Sequence, residues 1–297
     1  MTNLASPPQF SLFLPQMRMD MGTIEERVKS AEACGFHKID LMDHLNPPLL
    51  PAAPMYDAFV MAAAAAAWTE RVRIGHMVLC GQFRHPALLA KMIVSVDHFS
   101  GGRFDLGIGW GSVPDELERF GLGDEPPAVR AARLRETLEV VQALLTGEPV
   151  NYQGRFFQME NAQQQPTPLN GHIPILIGGA GRKLTMPLVR DFADWWNCPV
   201  YGMHELDELI PLAGNARLSV QRAVGLAPSS GARDEVVATA QRRFGDWALV
   251  AGTPDEVAEG LQADREMGAE QFVLQFSDFA SPETLELFAA EVIPAVT

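Results

Sequence analysis

His44 is the side chain in this chain best placed to move a proton. It follows Asp43 at the end of the apolar run KIDLM (38–42), and an imidazole ordinarily titrates near neutrality. Capping or packing the proline-rich loop behind it is the competing structural reading. The other six histidines are less favourable. His37 precedes a strand and belongs at the opposite end. His76 lies within a strand, where burial with satisfied hydrogen bonds is expected. His98 lies on a helix, and His85, His172 and His204 fall in loops without a nameable partner. A second signal is Gly178-Gly179-Ala180-Gly181 ahead of a helix. Its backbone N–H groups could face a phosphate, and Arg182 would add charge. A tight turn needing positive φ explains the glycines equally well. Gly107, Gly109 and Gly111 fail the dinucleotide fingerprint G-x-G-x-x-G, because Ser112 breaks the spacing. They fit a flat ligand lying close to the backbone, or a crowded barrel strand.

Several chemistries are set aside. No H-E-x-x-H, H-x-H or paired-cysteine spacing suggests a metal, and no G-x-S-x-G elbow is present. The only lysines, Lys29, Lys38, Lys91 and Lys183, end no strand, which argues against a Schiff-base aldolase. The apolar residues Met17, Met77, Phe83 and Trp110 fall near one histidine and many glycines. That composition suits a site in which a cofactor does the chemistry.

The elements that must position these residues alternate along the chain. Apolar strand-like runs are expected at 10–14, 38–42, 72–79, 104–109, 173–178, 194–198, 218–227 and 272–276, with helices between most of them. Thr23-Ile-Glu-Glu26 and Thr253-Pro-Asp-Glu256 read as capping boxes, Gly35 as a helix stop, and Pro86 as a first-turn proline. Helices are expected at 128–145 and near 183–192, Ser281-Pro282 opens the last one, and 150–159 reads as a surface hairpin. Pro47, Pro48, Pro51 and Pro54 keep 43–55 out of helix and sheet. Eight βα units predict an α/β fold, a (β/α)8 TIM barrel, with a doubly wound sheet as the alternative. In such a barrel the site lies at the C-terminal ends of the strands.

Composition agrees. The chain has 297 residues, 47% hydrophobic and 20% charged, which excludes a disordered or collagen-like polymer. The length alone suggests two domains, but an α/β barrel of this size is one. The net charge of −14 disfavours nucleic acid and anionic membrane as partners. Three separated cysteines, Cys34, Cys80 and Cys198, suit a reducing compartment. No signal peptide is evident, and the longest apolar run, Ala58–Trp68, is 11 residues, short of the ~20 that span a bilayer. A soluble cytoplasmic protein with a small-molecule substrate is expected.

The residues also resemble a known family, the bacterial luciferase-like monooxygenases and their deazaflavin-dependent relatives. The resemblance is carried by Asp43-His44-Leu45, by Arg71-Val-Arg-Ile-Gly75 through Phe83-Arg-His-Pro86 to Lys91, and by Val96-Asp-His-Phe-Ser-Gly-Gly-Arg-Phe-Asp-Leu-Gly-Ile-Gly-Trp-Gly111. Thr146-Gly-Glu-Pro-Val150, Pro174-Ile-Leu-Ile-Gly-Gly179, Ala193-Asp-Trp-Trp-Asn197 and Gly252-Thr-Pro-Asp-Glu-Val257 continue it in the same order. It implies one luciferase-like barrel domain over residues 1–297. It places a flavin or deazaflavin ring against the end of the third strand, where members often carry a non-prolyl cis peptide, here near Met77-Val78. Cys80, Gly109 and Trp110 would also border the ring, with Asp43 beside it. The phosphate-bearing tail would run to Gly178-Gly179-Ala180-Gly181.

Asp43-His44-Leu45 looks like the deazaflavin (coenzyme F-420) branch, whereas flavin mononucleotide (FMN) members more often show Glu-His-His. The resemblance makes His44 the acid/base beside the reactive carbon. A sugar-phosphate dehydrogenase branch has an acid where this chain has Ser112, which argues against that substrate. Asp115 and Glu116 lie close by without an assigned role. The leading expectation is therefore a hydride-transferring oxidoreductase. The alternatives are an FMN-dependent monooxygenase fed by a separate flavin reductase, and a non-catalytic flavin-binding protein. A homodimer is expected by family likeness, with the helix at 58–68 as a candidate interface. Segments 47–54 and 203–215 are expected to wall the substrate side.

Overall fold

The structure is a computed structural model that describes residues 7–296 apart from Leu49, Pro51 and Trp247. Two residues of the proline loop, Leu49 and Pro51, thus lie outside the described residues. The barrel strands are β1 (Gln9–Phe13), β2 (Lys38–Leu41), β3 (Arg73–His76), β4 (Leu79–Cys80) and β5 (Leu106–Gly109). After a surface hairpin of β6 (Val150–Gln153) and β7 (Gln158–Ala162) come β8 (Ile175–Gly178), β9 (Trp195–Cys198), β10 (Arg217–Leu226), β11 (Leu249–Gly252) and β12 (Gln271–Phe276).

The main sheet runs β3-β2-β1-β12-β10-β9-β8-β5-β4, with every pairing parallel. Its two ends, β3 and β4, are halves of one interrupted strand, and a parallel bridge from Ile74 to Phe104 helps close the gap. The barrel is therefore nearly closed, as expected. The strand expected as one piece over 72–79 is instead broken at Met77-Val78, whose peptide bond is cis.

Helices cover the outside: α1 (Met21–Ala33), α2 (Ala58–Trp68), α3 (Pro86–Phe99), α4 (Pro114–Arg119), α5 (Pro127–Leu145), α6 (Met186–Phe192), α7 (Leu206–Leu209), α8 (Arg233–Phe244) and α9 (Pro254–Glu266), with further turns to Val296. Phe10 stacks on Phe272, and both Phe10 and Phe276 meet Phe288 of the C-terminal helical segment. That face of the strands looks outward to helices. The intervening residues look inward and mix polar side chains with apolar ones such as Phe13 and Val273. Ser11 donates to Asp40 (2.5 Å), Lys38 pairs with Asp40 (3.2 Å), and Asn197, Ser219 and Gln271 form a hydrogen-bonded row. The outward face is apolar, whereas the inward face carries this polar row among apolar residues.

Other expectations are corrected locally. α1 is capped by Asp20, whose carboxylate accepts from Thr23 N (2.7 Å), so Thr23 is inside the helix and opens no capping box. The Thr253–Glu256 box is present. Gly35 follows the end of α1 at φ +80°, and Pro86 opens α3. α6 begins at Met186, after a turn, and not at Lys183. α8 and β11 had no counterpart in the sequence reading; β11 extends the sheet beside the upper half of β10. No described helix is long and apolar enough to cross a membrane.

Candidate functional site

A cavity of about 510 Å³ opens at the C-terminal ends of the strands. Asp43, His44, Met77, Val78, Cys80, Gly109, Trp110, Gly178, Gly179, Ala180 and Gly181 all line it. Four segments far apart in sequence, the ends of β2, β5 and β8 and the β3–β4 break, are thus brought to one hollow by the parallel barrel.

The interruption of the third strand shapes the floor. Val78 projects between Gly109 and Gly178. A Cβ on Gly109 would stand 3.0 Å from Val78 Cγ2, and one on Gly178 would stand 3.2 Å from Val78 Cγ1. Glycine at both positions leaves a low surface that a planar ring can approach. Beneath it, Gly107 has no room for any side chain, since a Cβ would fall 1.8 Å from the His76 carbonyl oxygen.

Asp43 is buried and fixed. It accepts from Cys80 N (2.8 Å) and from both terminal nitrogens of Arg84 (2.7 and 2.9 Å). The Cys80 amide ties the end of β2 to β4, and the bidentate Arg84 pair ties it to the loop that follows. The Cys80 thiol borders the cavity, but burial pushes its pKa up to about 12, so it stays a thiol. Trp110 donates from Nε1 to Thr185 Oγ1 (3.1 Å), and the Arg130 guanidinium stacks behind its ring at 5.1 Å.

His44 sits on the wall with 19% of its side chain exposed, and its Nδ1 lies 2.7 Å from Glu116 Oε2. Glu116 comes from α4 and is nearly buried. Its other oxygen accepts from Leu45 N (2.6 Å) and Asn46 N (3.1 Å). Burial alone would raise this carboxyl, but the donors from His44, Asn46 and Leu45 outweigh it and hold the group below its ordinary value. Among the described residues His44 Nε2 has no hydrogen-bond partner. Glu116 is the site residue that sequence reasoning named without a role. Its signal is weak: one acid among 37, on a short helix four residues after Ser112. Asp115 beside it is exposed, and Ser112 lines the cavity.

The glycine turn keeps two free donors. Gly179 N is used by Asn197 O (3.1 Å), whereas the amides of Ala180 and Gly181 have no partner among the described residues. Gly179 has φ +134° and a Cβ there would meet Thr185 at 3.0 Å, so glycine is required. Arg182 does not add charge. It is engaged by Glu205 (3.0 Å) and Glu208 on the segment that follows β9. No lysine or arginine appears among the described lining residues. None of the described residues of segments 203–215 and 47–54 is in the lining, whereas Pro199 and Tyr201 are. His76 is fully buried as expected, yet only Nε2 is bonded, to Ala58 O (3.2 Å).

Comparison with known proteins agrees with this geometry. Residues 4–210 match the luciferase-like monooxygenase family. A curated relative, the F-420-dependent glucose-6-phosphate dehydrogenase of Microbacterium testaceum (strain StLB037), is 33% identical over 61% of this chain and 51% of its own. The chain spans about half the length (49%) of the first curated relatives it matches. Among solved structures, an F-420-dependent secondary alcohol dehydrogenase in complex with an F-420–acetone adduct aligns with a TM-score of 0.81 at 21% identity, covering 98% of this chain and 100% of that one. The oxygenating constituent of 3,6-diketocamphane monooxygenase from Pseudomonas putida, in complex with FMN, aligns at 0.79 and 20% identity, covering 98% and 99%. These structural likenesses establish the fold. Members of the family are F-420- or flavin-dependent oxidoreductases and monooxygenases. By the match over 4–210 of its 297 residues, this chain belongs to the luciferase-like monooxygenase family.

Proposed function

We propose that this protein is an oxidoreductase that transfers hydride between the deazaflavin coenzyme F-420 and a small organic substrate, with His44 as acid/base. The observation that carries this reading is His44 itself: an imidazole on the wall of a glycine-floored cavity, with one nitrogen held by a buried carboxylate and the other free among the described residues. The residues fit a planar cofactor. Val78, Gly109 and Gly178 offer a low apolar floor, Trp110, Cys80 and Asp43 border it, and Ala180 and Gly181 keep amides for a phosphate.

At the phosphate position itself, local charge suits a diester better than the monoester of FMN. The lining has Asp43 and Glu116 but no lysine or arginine among the described residues, and Arg182 is already paired with two carboxylates. A phosphodiester carries one negative charge, whereas the phosphomonoester of FMN carries nearly two at neutral pH. Two backbone amides without a cation suit the smaller charge. When bound, the deazaflavin accepts or donates a hydride and reacts poorly with oxygen. His44 Nε2 takes the proton from a substrate hydroxyl or returns it, and the apolar floor excludes water. A homodimer and a cytoplasmic location complete the proposal; the outward side of α2, with Val60 65% exposed, is its candidate interface.

The test is an anaerobic screen of alcohols, aldehydes and activated double bonds with wild-type protein and H44A, following the absorbance of the bound coenzyme. Turnover by wild type and none by H44A supports the reading. Equal turnover by both removes His44 from the mechanism. Binding of FMN with no binding of the deazaflavin replaces the reading with an FMN-dependent monooxygenase served by a reductase. Binding without turnover of any kind supports a cofactor-binding protein.

A further inference from the structure

The hydrogen bonds around Glu116 decide where the proton of His44 resides. Glu116 Oε1 accepts from two backbone amides, Leu45 N at 2.6 Å and Asn46 N at 3.1 Å. An amide N–H cannot exchange roles, so this oxygen is an acceptor only. Oε2 stands 2.7 Å from His44 Nδ1. An ionised carboxylate has no hydrogen to give, so Nδ1 must donate. A neutral imidazole owns one N–H, so the lone pair then belongs to Nε2. Free histidine in water favours the opposite tautomer, with hydrogen on Nε2.

We propose that Glu116 is a positioning residue that sets the tautomer of His44 and thereby makes Nε2 the nitrogen that exchanges protons at the cavity. This rests on the reading of His44 as acid/base. Glu116 acts through the ring. When a substrate hydroxyl gives its proton to Nε2, the oxygen keeps the bonding pair and the ring becomes a cation. That cation faces the Glu116 carboxylate through Nδ1–H, which stabilises it. The same carboxylate fastens the loop after β2 to α4, so ring orientation and proton position are fixed by one group.

An isosteric variant separates this role from simple packing. In Glu116→Gln the two backbone amides still require an oxygen, so the new NH2 faces His44 Nδ1. Nδ1 must then accept, and the hydrogen moves to Nε2. Nitrogen-15 NMR of histidine-labelled protein reads this directly, with His44 assigned by its loss in H44N. The expected wild-type spectrum shows Nδ1 protonated and Nε2 bare, and E116Q shows the two exchanged. Substrate turnover in E116Q falls by about 10²–10⁴-fold, the usual worth of a general acid or base. A wild-type ring with hydrogen on Nε2 overturns the proposal without any variant. So does an E116Q protein that keeps the wild-type tautomer. The NMR measurement uses the protein without coenzyme or substrate. Failure of coenzyme binding, or full turnover by H44A, would therefore sink the functional reading while leaving the tautomer result standing.

Discussion

Strand β2 carries charged groups at both of its ends, and the two ends behave differently. Lys38 and Asp40 are sealed inside the barrel, 2% and 0% exposed, paired to each other and to Ser11. Asp43 and His44, a few residues on, reach the C-terminal mouth and border a cavity. Asp43 spends its charge on Arg84 and the Cys80 amide, as Asp40 does on Lys38. His44 instead keeps Nε2 unpartnered among the described residues, at the cavity wall. A charge satisfied on all sides holds a fold together, whereas a group satisfied on one side and open on the other can react.

The sharpest way to break that contrast is to disable each end. H44A is expected to lower turnover by about 10²–10⁴-fold and leave the urea midpoint nearly unchanged. K38M should do the reverse, destabilising the fold by about 3–5 kcal/mol because a buried carboxylate loses its partner. Molecules of K38M that remain folded should bind coenzyme normally. The K38M cost should shrink in acid: burial raises the Asp40 carboxyl, so lowering the pH neutralises the stranded charge. Loss of coenzyme binding with full stability in K38M would erase the distinction.

The histidines supply a second contrast: His44 is partly exposed at the cavity, whereas His76 is fully buried. Burial drives His76 down to about 4, so between pH 6.5 and 4 the unfolded chain binds its proton and the folded chain does not. Its contribution is complete above pH 6.5 and is lost as the pH falls to about 4, an acid sensitivity of about 3 kcal/mol. Stability curves of wild type and H76L against pH should diverge by that slope; parallel curves would show that His76 is not the buried base described.

Glu116 gives a smaller, local effect. Its carboxyl is held below the ordinary value, so the tie it makes is present above about pH 4.5 and lost as the pH falls through the folded value. Protection factors for hydrogen exchange at the Leu45 and Asn46 amides should fall on acidification before those of the β1–β12 core do. A uniform fall in protection would mean the loop has no separate tie. Smallest of all is R182A. Its partners Glu205 and Glu208 are exposed, and solvent screens such pairs, so thermal melting should barely shift.

Much of this was legible in residue order. The eight expected runs became barrel strands because each alternates an outward apolar residue, such as Phe10 or Phe272, with a buried inward one. The break at Met77-Val78 was not legible from pattern, since Val72 to Leu79 reads as continuous strand; only the family resemblance pointed there. β11 was missed because Leu249-Val-Ala-Gly252 is too short to show a period, and α8 because RDEVVATAQRRF is mostly polar. Asp20 was passed over as a cap because Thr23 and Glu26 mimic one. In the site, strand ends and glycines carried positional information and met in one cavity. Glu116 did not, because a carboxylate on a short surface helix looks like any other until the fold brings it to His44. Arg182 failed the other way: its charge is visible in sequence, its pairing with Glu205 and Glu208 is not.

Equilibrium titration of wild type and H44A, each with coenzyme F-420 and with FMN, tests most directly whether the mouth of this barrel holds a deazaflavin beside His44. Tight binding of the deazaflavin by both proteins and weak binding of FMN by both are expected. Tight binding of FMN alone, or of neither cofactor, would contradict that reading.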